Sequence, residues 1–179
     1  IADIRRSNEW KKIPDCPPES PEEQSAYTRK LRGQFDLLSK AELRAALLNE
    51  QHSLCAYCMR RIANNTKTKI EHWYPLSKKK SAVLDYHNML AVCGGRDSQG
   101  EQLYNCCDSS KGSTIIKLDP RDAAMMNQIQ YLSDGTLEFK ESTAYTSIDI
   151  SQIRHEINDV LLLNNKPSDI VSARAAIYK

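Results

Sequence analysis

Glu71 and His72 stand side by side in Ile70-Glu71-His72-Trp73-Tyr74-Pro75, with Asn88 and Asp108 further along. Cysteines enclose them: Cys55-Ala56-Tyr57-Cys58 before, Cys93 and the tandem Cys106-Cys107 after. A His next to an acid, then an Asn, then an acid, inside a cysteine frame, suggests metal-dependent phosphodiester chemistry on a zinc-stapled core. That reaction needs an activated water and charge relief at the scissile phosphate and leaving oxygen. An imidazole with a pKa near about 6.5 suits the general base, which assigns that role to His72. Hard oxygen ligands such as Glu71 and Asp108 suit Mg²⁺ or Mn²⁺, which takes one or two carboxylates and completes its shell with water and phosphate. On an extended segment the side chains of Glu71 and His72 diverge to opposite faces, so one can reach a metal while the other faces the water. Singly, each residue has a plainer reading: a solvated charge, a zinc ligand, a helix cap, a turn residue. Their joint spacing around the cysteines is what argues for chemistry.

A structural zinc takes four thiolate or imidazole ligands in a tetrahedron. Cys55-x-x-Cys58 has the spacing of a metal knuckle, which disfavours a disulfide-stapled extracellular domain. The second knuckle must come from Cys93, Cys106 and Cys107. Thirteen residues separate Cys93 from Cys107, and Gly94, Gly95 and Gly100 let that connection fold back. Adjacent cysteines point in different directions, so one of Cys106 and Cys107 joins the ion, and chemistry alone leaves the choice open. Cys16, with no cysteine or His near it, reads as an incidental free thiol. The absence of an apolar leader stretch makes a cytoplasmic setting the expectation.

The elements that must position these groups are legible in outline. The chain has 179 residues, 40% hydrophobic and 27% charged, enough for one domain with appendages. A net charge of +2 permits nucleic-acid binding without arguing for it. No apolar run approaches a membrane span, so no membrane partner is expected. Residues 1–53 form an N-terminal arm and helical lead-in, with Ile13-Pro14-Asp15-Cys16-Pro17-Pro18 extended. Ser20-Pro21-Glu22-Glu23 starts a helix running to about Arg32 and stopped by Gly33, and Ser39-Lys40-Ala41-Glu42 starts another with Leu43, Ala46 and Leu47 inward. Residues 54–118 are the core, ending in a strand at Ile115–Leu118. Residues 119–179 carry a β-hairpin around Ser133-Asp134-Gly135 and an αα-hairpin, its first helix from about Asp149 to Leu163 and its last opened by Pro167, and this part is the expected place for partner docking. The fold class is α+β.

Four motifs together resemble the ββα-metal core of HNH endonucleases, the His-Me finger: Cys55-x-x-Cys58, Ile70-Glu71-His72-x-x-Pro75, Asn88-Met89-Leu90 with Cys93, and Cys107-Asp108-x-x-Lys111. Gln51-x-x-Leu54 upstream, and Leu161-x-Leu163-Asn164 with Arg174 downstream, resemble the small PtuB-like proteins of Septu and retron-associated anti-phage defence. The resemblance implies Glu71 and Asp108 as ligands of the catalytic ion, His72 as base and Asn88 as the residue that orients His72 or its loop. Asp108 stands where many such enzymes have a final His, which leaves the metal preference open. The same pattern favours Cys107 over Cys106, giving Cys55, Cys58, Cys93 and Cys107 as zinc ligands. It further implies a nucleic-acid substrate (DNA or tRNA), a PtuA-like ATPase partner, and a retron reverse transcriptase with its multicopy single-stranded DNA as a further candidate partner. Lys111, one helical turn beyond Asp108, can face the same phosphate, and Lys78-Lys79-Lys80 and Arg60-Arg61 can track a backbone. Trp73 and Tyr74 either stack on a base or pack beneath the metal hairpin. The rival from another class is a non-catalytic zinc-ribbon module that binds nucleic acid or protein.

Overall fold

Ser20 and Ser39 each accept a hydrogen bond from the backbone N–H three residues on, and so start the helices α3 (Pro21–Asp36) and α4 (Lys40–Glu50). The computed structural model describes residues 1–94, 106–165 and 169–177. Gly95 and Gly100, and Pro167 at the start of the last helix, lie outside the described residues. Helix α3 does not stop at Gly33. A mid-helix glycine costs about 1 kcal/mol, whereas burying Leu31 and Phe35, in line with Tyr27, returns roughly 1.5–3 kcal/mol each. Packing therefore carries the helix three residues further. In α4 the inner face is Leu43, Leu47 and Leu48, with Ala46 outside.

The first twenty residues are more ordered than their prolines imply. Two short helices, α1 (Ala2–Arg6) and α2 (Asn8–Lys12), precede the proline segment, and Trp10 and Ile13 are buried. Lys80 holds them there: its Nζ donates to Ile13 O at 2.6 Å and lies 5.3 Å from the centre of the Trp10 ring. Lys80 is thus an internal anchor rather than a solvated cation of the Lys78–Lys80 run. Arg5 reaches the same region, donating to Leu84 O at 2.8 Å.

Strands β1 (Lys69–His72) and β2 (Met89–Val92) pair antiparallel, from Lys69 opposite Val92 to His72 opposite Met89. Between them run the short helix α5 (Lys80–Val83) and a 3₁₀ turn ending at Asn88. Helix α4 packs on both strands. After Cys107 comes α6 (Asp108–Lys111), one turn long. Ile115–Leu118 is not a strand. The buried Glu156 carboxylate accepts from Lys117 N–H at 2.8 Å and Leu118 N–H at 2.7 Å, taking the place of a partner strand.

The C-terminal part comprises α7 (Ala123–Met126), the expected hairpin β3 (Ile129–Tyr131) with β4 (Leu137–Phe139), α8 (Ser147–His155) continuing into a π-turn at Glu156–Val160, and α9 (Asp169–Ile177). Gly135 in the hairpin turn has φ +86°, and a Cβ there would meet Val171 O of α9 at 2.0 Å. Only glycine allows that approach. One buried cluster runs from Trp10 through both strands to Ile170. Among the described residues the fold is mixed α+β with two small sheets. Among the described residues no helix is long and apolar enough to cross a membrane.

Candidate metal centre and charged cleft

Cys55, Cys58, Cys93 and Cys107 are buried, with their Sγ atoms within 4.8 Å of one another. Cys55 and Cys107 lie 4.0 Å apart, and Cys58 and Cys93 3.8 Å. A tetrahedron with Zn–S bonds near 2.3 Å has edges of about 3.8 Å, so the four thiols fit a zinc ion and are too far apart for disulfides. The backbone is shaped for this. Met59 and Gly94, each following a cysteine, have φ of 59° and 63°. Cys93 N–H points at Cys55 Sγ, 3.4 Å away. Cys107 itself has φ 55°, a left-handed conformation rare outside glycine, which turns its thiol into the cluster. Cys107, not its buried neighbour Cys106, completes the set. Hydrogen bonds from Cys106 and Cys107 hold the Cys93 thiol well below the ordinary range, while Cys107 is pushed well up by its bonds to Cys106 and Cys55. Four buried thiols this close together can all ionise only with a cation among them. The centre could hold a metal such as zinc.

Glu71 lies on β1 with its side chain almost fully buried. Lys111 Nζ donates to Glu71 Oε1 at 2.7 Å and to His72 O at 3.3 Å, and Tyr57 O–H reaches Glu71 Oε1 at 3.5 Å. Both partners come from the cysteine segments: Tyr57 lies between Cys55 and Cys58, and Lys111 is one turn after Cys107. Lys111 is fully buried and is absent from the lining of the cleft described below, so it reaches Glu71 from behind the wall. Asp108, at the start of α6, pairs with Lys69 at 2.9 Å. Burial raises the Glu71 carboxyl to about 8, reinforced by Asp108 and opposed by Lys111. Asp108 is held below its ordinary value: burial would raise it, but hydrogen bonds from Glu71 and Lys69 prevail. Glu71 and Asp108 line the same cleft, and two carboxyl groups placed together are a donor set that a small divalent cation would satisfy.

His72 turns to the other side of β1. Its Nε2–H donates to Val83 O at 3.0 Å, and its ring meets Phe35 edge-on at 4.7 Å. A carbonyl only accepts, so this bond fixes the tautomer and leaves Nδ1 as the acceptor. Burial lowers the His72 pKa, with Arg32, Lys111 and Lys40 assisting against the Val83 bond. Asn88 holds the surrounding loops: Nδ2 donates to Tyr74 O at 2.9 Å and Ala82 O at 3.0 Å, and Oδ1 accepts from Tyr74 N–H at 2.8 Å. The carbonyl it grips at Ala82 directly precedes the one that anchors His72.

Glu71, His72 and Asp108 line one cleft of about 580 Å³. Its other walls carry Arg32, Lys40, Arg44 and Lys69. These cations were not singled out in the sequence, although Lys40 and Arg44 stand one helical turn apart on α4. Arg44 is tied to the entry of β1 by a bond from Nε to Thr68 O at 2.9 Å, and Lys40 lies 4.0 Å from the centre of the Phe35 ring. Arg60 and Arg61 line a different cleft, beside Cys58. Trp73 packs beneath the hairpin, donating from Nε1 to Leu118 O at 2.9 Å, with Arg121 over its ring. His52 and His87 are exposed. No protein-family model matches the chain, and no curated protein matches it.

Proposed function

We propose that the chain is a metal-dependent HNH-type endonuclease, with β1, β2 and α6 as a ββα-metal core stapled by zinc on Cys55, Cys58, Cys93 and Cys107. The observation that carries this reading is the convergence of Glu71, His72 and Asp108 on one cleft walled by cations. Such walls concentrate a polyanion and offset its backbone charge. His72 is the proposed general base. Its Nε2–H is held by Val83 O, so Nδ1 takes the proton from the attacking water, and burial favours the neutral ring that this requires. Asn88 acts through the Ala82 and Tyr74 carbonyls, fixing the loops on either side of His72. Mg²⁺ or Mn²⁺ held by Glu71 and Asp108 would supply charge relief at the phosphate and leaving oxygen. Lys111 balances Glu71 from the buried side, and Lys69 orients Asp108.

Septu-type or retron-associated defence, with a PtuA-like ATPase and a retron reverse transcriptase as partners, belongs to this proposal on the strength of the motifs alone. One observation favours the rival non-catalytic zinc module: Glu71 already has a counter-ion, at 2.7 Å. Incubating the zinc-loaded chain with Mg²⁺ or Mn²⁺, duplex DNA and a tRNA pool, with and without the genomic ATPase neighbour, separates the two. The nuclease reading expects metal-dependent scission of one substrate, with the cut ends identifying it. Binding without scission under every condition would favour the rival.

A further inference from the structure

Arg174 on α9 is 7% exposed, yet among the described residues its hydrogen bonds go to backbone carbonyls: Nη2 donates to Leu163 O, and Nε to Ile170 O at 3.3 Å. Nη1 is buried with no hydrogen-bond partner. No carboxylate among the described residues pairs with this guanidinium, and a buried cation with no anion is strongly unfavourable. Some other negative charge should compensate it. Arg174 and Cys58 line the same cleft. Burial pulls the Arg174 pKa down, and Cys58, Tyr131 and Cys107 pull it back up. Four thiolates on one Zn²⁺ carry a net double negative charge that the apolar shell around the cysteines does not balance.

We propose that Arg174 is the buried counter-cation of the four-cysteine metal centre, so that metal occupancy governs the docking of α9. A hydrogen-bonded path joins the two. Cys107 N–H donates to Leu161 O at 2.9 Å, and two residues on, Leu163 O accepts from Arg174. The 161–163 segment is therefore held at one end by a metal ligand and at the other by the arginine. The β3–β4 turn follows, because Gly135 lies directly against Val171 of α9. Arg60 and Arg61 in the same cleft would suit an external anion, but Nη1 has no exposed surface for such a ligand to reach. The buried thiolates are the anion on offer. This inference rests on the cysteine centre and stands whether or not the chain cleaves nucleic acid.

The test uses the full chain as wild type, Arg174→Met and Arg174→Lys. Zinc affinity is read by competition with a chromophoric chelator, and protection of α9 by hydrogen exchange. Arg174→Met should lose about 10–100-fold in zinc affinity, the usual cost of removing a group that supports metal ligands. Arg174→Lys, which keeps the charge, should retain most of the affinity. Unchanged affinity in Arg174→Met, or equal losses in both variants, would overturn the electrostatic role. If Arg174→Met does not fold, the wild type alone decides. During stepwise chelation α9 should lose protection in proportion to zinc removed, ahead of α3. Loss of α9 and α3 protection together, or an α9 that stays protected without zinc, would overturn the coupling.

Discussion

The cysteine centre and the Glu71 cleft both gather acidic donors, but they balance charge differently. Cys55, Cys58, Cys93 and Cys107 are buried and their thiols contact one another. Glu71 and Asp108 each have a lysine within 2.9 Å, Lys111 and Lys69 respectively. The first centre needs a cation from outside to ionise fully, so it can act as a fold staple. The second brings its own cations and can stay folded without a bound ion. The two are joined, since Tyr57, Lys111 and Asp108 reach Glu71 from the cysteine segments.

The sharpest break in this comparison is metal removal. Chelating zinc, or substituting Cys93→Ser, should release α9 and lower the melting temperature sharply while α3 stays protected, because the binding free energy of a structural metal is folding free energy. Withholding Mg²⁺ should leave circular dichroism and melting unchanged. Equal sensitivity to both treatments would remove the distinction between staple and reaction site. Next in size is Lys111→Met. Breaking a buried pair typically costs about 3–5 kcal/mol, so denaturant unfolding without Mg²⁺, measured above pH 8 where Glu71 is ionised, should show a loss in that range. Added Mg²⁺ should recover part of it by taking over the charge on Glu71, and a loss indifferent to Mg²⁺ would argue against a cation at Glu71.

Asn88→Ala should cost less, about 1–3 kcal/mol, by leaving the Tyr74 and Ala82 backbone groups without a partner. It should also reduce any cleavage by more than the small unfolded fraction explains. The smallest effect is expected far from both centres. Hydrogen bonds from Lys117 and Thr146 lower the Asp149 pKa from 3.8 to about 2. A depressed folded-state pKa means stabilisation that is present above the unfolded value and lost as pH falls through about 2. Stability of wild type and Asp149→Asn, compared between pH 4 and 2, should therefore converge at the acid end. A gap that widened on acidification would have the wrong sign.

How much of this was legible in the residues depends on the range of the interaction. Local signals carried well: Ser20 and Ser39 cap their helices, and Ser133-Asp134-Gly135 closes a hairpin. The knuckle spacing marked Cys55 and Cys58, and the divergence of Glu71 and His72 follows from strand geometry. Long-range partners did not carry. Nothing near Ile115–Leu118 announces that Glu156 will accept its N–H groups. Lys80 looks like one member of a solvated run until Trp10 and Ile13 fold over it. Lys111 turned inward to Glu71 because a buried carboxylate close to another acid needs a nearby cation. The cations of the cleft come from three elements, and only the tertiary fold brings them to one wall.

The central claim is that His72 takes the proton from water in a cleft built for a phosphodiester. Cleavage of duplex DNA and of the tRNA pool should be measured for wild type and His72→Ala, both zinc-loaded, with Mg²⁺ present and folding checked by melting. A general base contributes about 10²–10⁴-fold, so the variant should retain its zinc and its melting transition while losing at least 100-fold in rate. Undiminished cleavage by folded His72→Ala would contradict the account, whatever the zinc centre does.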